Sequence, residues 1–144
     1  MTKKSSAWEK LGGPVLVCDF DGVIHDYSNG FQGVDVYGDI IEGAREALEE
    51  LSEKWYIIIF TTRATSPELM AWLLSHDVKC NTINTLDHNP PNTSVKPIAT
   101  VYLDDRSWPF VAGDKPQFDK EVWEQVVKDL NNFYIKLEKI QNAY

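Results

Sequence analysis

Two largely apolar runs, the Val-rich stretch at 14–20 and the strand in "WYIIIFTTR" that ends at Thr61, constrain the fold more than any other feature of the chain. A strand with one wetted face alternates apolar and polar residues. These runs do not alternate, so each must be buried on both faces, as strands of a parallel sheet are. Between them, "IIEGAREALEELSEK" sets Ile40, Ile41, Ala44, Ala47, Leu48 and Leu51 at helical spacing with acids and Arg45 among them, which predicts an amphipathic helix. "SPELMAWLLSHD" opens with a capping Ser and a Pro at the first helical position, a second helix. "VKCNTIN" predicts a weaker, edge-like third strand, "TLDHNPPNTSVKP" a loop and "IATVYLDD" a fourth strand, with "RSWPFVAGDKPQ" irregular after it. An apolar stripe from Val122 to Ile140 predicts a C-terminal helix over 119–141.

Strands alternating with helices predict an α/β fold: a three-layer, Rossmann-like sandwich whose central sheet is mostly parallel, with right-handed crossovers and helices on both faces. At 144 residues and 43% hydrophobic, the chain suffices for one core. Residues 1–144 therefore read as one domain, with 1–13 as an N-terminal extension and 22–39 as a flap between the first strand and the first helix. In such sheets ligands bind at the carboxyl ends of the strands. That rule gathers Asp19, Thr61, Asp104 and Asp105, each at or just beyond a strand end, at one rim.

Charge narrows the function. With 14 Lys and Arg against 22 Asp and Glu, the net charge of -8 disfavours nucleic acid and anionic membranes as partners. No stretch approaches the ~20 apolar residues that span a bilayer, and "MTKKSSAWEK" lacks the hydrophobic segment of a signal peptide, so a cytoplasmic location is expected. Cys18 and Cys80 read as reduced, packed thiols, and His76 and His88 have no zinc-ligand spacing.

The pair Asp19 and Asp21, closing an apolar strand and followed by Gly22, joins the pair Asp104 and Asp105 beyond the fourth strand. Four carboxylates at one rim repel one another unless a cation or protons intervene. An all-oxygen set suits Mg²⁺, with a substrate phosphate supplying further ligands. Lys96 adds a positive charge and Thr61 a neutral donor for phosphoryl oxygens, while one Asp attacks in line and a second handles the leaving-group proton. An EF-hand reading of "DFDG" fails: Val23 stands at the fifth position, Ile24 at the Gly position and Gly30 at the terminal Glu.

In these four segments the chain resembles the haloacid dehalogenase (HAD) superfamily, dominated by Mg²⁺-dependent phosphatases. The likeness covers residues 14 to about 112 and rests on "VLVCDFDGV", "IIIFTTR", "SVKPIA" and "VYLDDR". It implies Asp19 as the nucleophile that becomes an aspartyl-phosphate and Asp21 as general acid and base, its backbone carbonyl also touching the metal. It implies Asp105 as direct metal ligand with Asp104 in support, and Thr61 and Lys96 as the remaining catalytic residues. Family members differ mainly in cap domains, and neither the 22–39 segment nor the loop before the fourth strand is long enough for one. The 22–39 segment suffices for a helical turn and a small hairpin. A capless site is open, and either a large substrate or a neighbouring subunit of a homo-oligomer covers it.

Thr62, Arg63 and Arg106 are candidate contacts for the phosphorylated substrate, each Arg equally suited to pairing with a surface carboxylate. His25 either reaches a leaving group from the flap or is a solvated loop residue. Trp108 and Phe110 either line the opening or pack the loop. Two other classes compete with a phosphatase. A receiver-like phospho-acceptor module uses the same residue types, but in a different strand order; an idle HAD-like binding or assembly protein would not need Asp19.

Overall fold

The computed structural model describes residues 10–107 and 117–142. Strands β1 (Val15–Cys18), β2 (Tyr56–Ile59), β3 (Thr82–Ile83) and β4 (Val101–Leu103) form one sheet in the order β3-β2-β1-β4, and every pairing is parallel. Helices α1 (Ala44–Leu51), α2 (Pro67–Ser75) and α3 (Lys120–Asn142) complete an α/β fold in the chain order βαβαββα. The strands come out shorter than the sequence runs that predicted them, because pairing stops where the chain leaves for the rim, whereas α3 has the length predicted for it, shifted by one residue.

The central strands are buried as their composition requires. Leu16, Cys18, Ile57, Ile58 and Ile59 are fully enclosed, and each large aliphatic side chain so placed contributes about 1.5–3 kcal/mol. Leu16, Cys18, Ile57 and Ile59 pack with Ala44, Ala47, Leu48 and Leu51 of α1, Leu69, Trp72 and Leu73 of α2, and Trp123 and Leu130 of α3. The N-terminus of α2 is capped by Ser66, whose hydroxyl accepts the Leu69 N–H at 3.2 Å, with Pro67 beginning the helix.

The opposite face carries a second, smaller cluster. Val15, Val17 and Ile58 pack there against Leu11, Tyr56, Phe60 and Ala99, and Leu11 belongs to helical backbone, described at residues 10 and 11, that precedes β1. The connection from β3 to β4 crosses from one edge of the sheet to the other as a helix-free segment at 84–100.

Segment 22–39 forms turns and isolated bridges rather than a hairpin. It is nevertheless tied down: the Trp123 indole donates to the Val23 carbonyl at 2.8 Å, the Trp72 indole to Gly38 at 3.0 Å, and the Phe118 N–H to Gly22 at 2.8 Å. No cap domain lies in it or before β4. No described helix is long and apolar enough to cross a membrane.

Candidate active site

β1 is flanked by β2 on one side and β4 on the other, so the chain order reverses across it. A crevice opens at the carboxyl ends of β1 and β4, the usual ligand position in open α/β sheets. Asp19 follows β1, and its N–H donates to the Leu103 carbonyl at 2.9 Å, extending the ladder by one bond. It keeps the parity of Val15 and Val17 and so belongs to their face of the sheet.

Oxygen atoms of Asp19, Asp104 and Asp105 lie within 4.8 Å of one another. Asp105 is 8% exposed, and its Oδ1 is buried with no hydrogen-bond partner. Gly22 makes room for it: a Cβ there would collide with the Asp105 carboxylate, and the glycine φ of 81° lies in the left-handed region. Burial and then the neighbouring Asp104 and Asp105 raise the Asp19 carboxyl to about 7, against a backbone hydrogen bond from Phe20 that lowers it. Burial also raises Asp105. A set of hard oxygen donors with an orphaned buried oxygen and mutual repulsion fits a divalent cation such as Mg²⁺.

Period-two strand geometry would point the Asp19 and Asp21 side chains the same way, toward one Mg²⁺ and one phosphoryl group, but the backbone leaves that geometry here. Beyond Cys18 the chain turns, with the Phe20 carbonyl accepting the N–H groups of Val23, Ile24 and His25. The Asp21 side chain consequently stands apart from the three-carboxylate cluster, although it lines the same cavity. Its Oδ1 lies 2.8 Å from His25 Nδ1 and its Oδ2 accepts from Arg63 Nε at 2.7 Å. Burial by itself would raise its pKa, but these two partners outweigh it and hold the carboxyl below its usual value.

The cavity, about 670 Å³, is lined by Asp19, Asp21, Tyr27, Phe60, Thr61, Thr62, Asp104, Asp105 and Arg106. The sequence candidates Thr61, Thr62 and Arg106 thus meet the carboxylates at one rim. The Thr61 hydroxyl oxygen accepts the Arg63 N–H at 3.2 Å and can still donate. Lys96 shares a smaller cavity with Asp19 and Asp104, lined also by Val17, Phe60, Pro97, Tyr102 and Leu103. Its ammonium sits over the Tyr102 ring, 4.8 Å from the centroid, and pairs with no described carboxylate.

Two candidates change character. Arg63 is not a lining residue: 9% exposed, it is spent on Asp21 rather than on a surface acid. His25 is not solvated but completely buried. Trp108 and Phe110 lie outside the described residues. Burial pushes the Cys18 thiol well up, consistent with a packed, unreactive sulfur.

Sequence reasoning missed Asn84. From the end of β3 its Oδ1 accepts the Thr61 N–H at 2.8 Å while its Nδ2 donates to the Arg63 carbonyl at 2.9 Å, clamping the loop that carries Thr61, Thr62 and Arg63. Its φ of 52° is left-handed, which Asn tolerates better than most residues. An Asn closing a short polar strand was the available signal. Comparison of the chain with family models, curated proteins and solved structures finds no match.

Proposed function

We propose that the chain is a Mg²⁺-dependent phosphomonoesterase of the HAD type, working through an aspartyl-phosphate on Asp19. One observation carries the reading: carboxylates from the ends of β1 and β4, distant in sequence, converge with their oxygens within 4.8 Å, in the arrangement that the resemblance of the four motifs implies.

Asp19, Asp104 and Asp105 would hold the ion. Bound there, Mg²⁺ would offset the charge of the carboxylates and of the phosphoryl oxygens. In the first step an Asp19 oxygen bonds to phosphorus as the bond from phosphorus to the leaving oxygen breaks. The departing oxygen is protonated by Asp21 when the substrate alkoxide is a poor leaving group; an aryloxide departs without help. In the second step the Asp21 carboxylate takes a proton from water, the water oxygen attacks phosphorus, and the bond to Asp19 breaks to release inorganic phosphate. His25 and Arg63 favour the ionised Asp21 that this second step needs. The Thr61 hydroxyl donates to a phosphoryl oxygen, Thr62 and Arg106 meet the substrate, and Lys96 turns from Tyr102 toward the same oxygens.

The test is turnover of a generic aryl phosphate. Activity that requires Mg²⁺, disappears with chelator and is abolished in Asp19→Asn supports the reading; unchanged turnover in Asp19→Asn overturns it.

A further inference from the structure

His25 is completely buried, yet both of its ring nitrogens are engaged. The Gly38 N–H donates to Nε2 at 2.9 Å, so Nε2 acts as an acceptor and the ring hydrogen resides on Nδ1, from which it is donated to Asp21 Oδ1 at 2.8 Å. The ring is packed on Phe20, stacked at 5.3 Å, and edge-on to Tyr37 and Trp72 at 5.1 and 5.5 Å. Gly38 is where the backbone must come this close, since a Cβ there would collide with the Asp26 carbonyl and press on His25 Nε2. Its carbonyl is held in turn by the Trp72 indole.

The second oxygen of Asp21 has a partner of the same design. Arg63 grips it through Nε, and the Arg63 Nη1 reaches the carbonyls of Val34 and Asp35 at 3.5 and 3.3 Å. Each oxygen of Asp21 is therefore held by a residue that also holds the flap.

We propose that His25 is a positioning residue: a bridge in a single tautomer that fixes the Asp21 carboxylate to the flap backbone at Gly38, so that flap and proton-transfer group are set as one unit. Its kinetic half rests on the phosphatase reading; its structural half does not. A residue that orients a reacting group through one hydrogen bond typically changes turnover by about tenfold to a hundredfold.

Nitrogen-15 NMR of the wild-type imidazole and amide hydrogen exchange at Gly38 come first. A protonated Nδ1, an unprotonated Nε2 and slow Gly38 exchange are expected, whether or not the protein turns over a phosphate ester. A hydrogen on Nε2 overturns the proposal. Then His25→Asn, whose amide nitrogen sits where Nδ1 does, keeps the donor to Asp21 and loses Gly38, while His25→Gln reaches Gly38 and loses Asp21. With an aryl phosphate under saturating conditions, His25→Gln lowers kcat by about tenfold or more with Gly38 still protected. His25→Asn holds kcat within about threefold while Gly38 exchanges faster. Equal losses in both variants, or no loss in His25→Gln, contradict the bridge. If neither variant folds, the wild-type tautomer and exchange decide.

Discussion

The carboxylate of Asp105 occupies the space that a side chain at position 22 would need. Gly22 is required twice over, by that contact and by its left-handed φ of 81°. Gly22→Ala is therefore expected to destabilise the fold by about 2 kcal/mol through backbone strain and to push Asp105 out of the cluster. Urea denaturation checks the first effect. Calorimetric titration with Mg²⁺ checks the second, where a weaker affinity than wild type is expected.

A site of mutually repelling carboxylates should leave its mark on metal-free stability. The folded-state value of Asp19, raised to about 7, lies above its unfolded value. The stability tied to its proton is thus fully present below the unfolded value near 4 and is lost as the pH rises through about 7. The lowered Asp21 acts oppositely, losing its contribution as the pH falls toward and below the ordinary carboxylate range. In chelator, Asp19→Asn is expected to melt higher than wild type at neutral pH and to show a flatter decline between about pH 4 and 7. Added Mg²⁺ should restore most of the wild-type deficit. Thermal melts across that range, with and without the ion, give the comparison.

The sheet, the helices and the three-carboxylate cluster were legible because they depend on local pattern and one topological rule. Buried strands announce themselves through "VLVC" and "YIII", and the rim rule then brings Asp19 to Asp104 and Asp105. The state of Asp21 was not legible. Period-two reasoning stops at Cys18, where β1 ends, and the side chain is instead directed by His25 and by Arg63 from beyond β2. His25 carried no periodic signal, and its burial arises from rings contributed by three separate segments. The loop over "TLDHNPPNTSVKP" was legible from its Asn and Pro residues, whereas the strand expected over "IATVYLDD" forms only at Val101–Leu103.

Arg63 and Asp21 form a pair whose side chains are only 9% and 17% exposed. Removing one partner leaves a charge facing an apolar wall that includes Phe20, whose ring lies 5.8 Å from the guanidinium carbon. Arg63→Met is expected to cost about 3 kcal/mol in equilibrium unfolding and to raise hydrogen exchange in the flap around Val34 and Asp35. A loss below about 1 kcal/mol would class the pair with exposed surface bridges.

Asn84 offers a separate handle on the Thr61 loop. Asn84→Ala removes the acceptor for the Thr61 N–H and the donor to the Arg63 carbonyl, and it places Ala at a φ of 52°. About 2 kcal/mol of destabilisation is expected, together with a turnover loss exceeding that of Thr62→Ala. Denaturation curves and steady-state kinetics of the two variants measure both.

The covalent intermediate on Asp19 tests the central claim most directly. Protein mixed with an aryl phosphate and Mg²⁺, quenched early and reduced with borohydride, would convert an acyl phosphate to an alcohol at the residue that carried it. Peptide mass spectrometry should then find reduction at Asp19, dependent on both substrate and Mg²⁺, with none at Asp21, Asp104 or Asp105. Turnover under the same conditions without reduction at Asp19, and persisting in Asp19→Asn, would contradict the account.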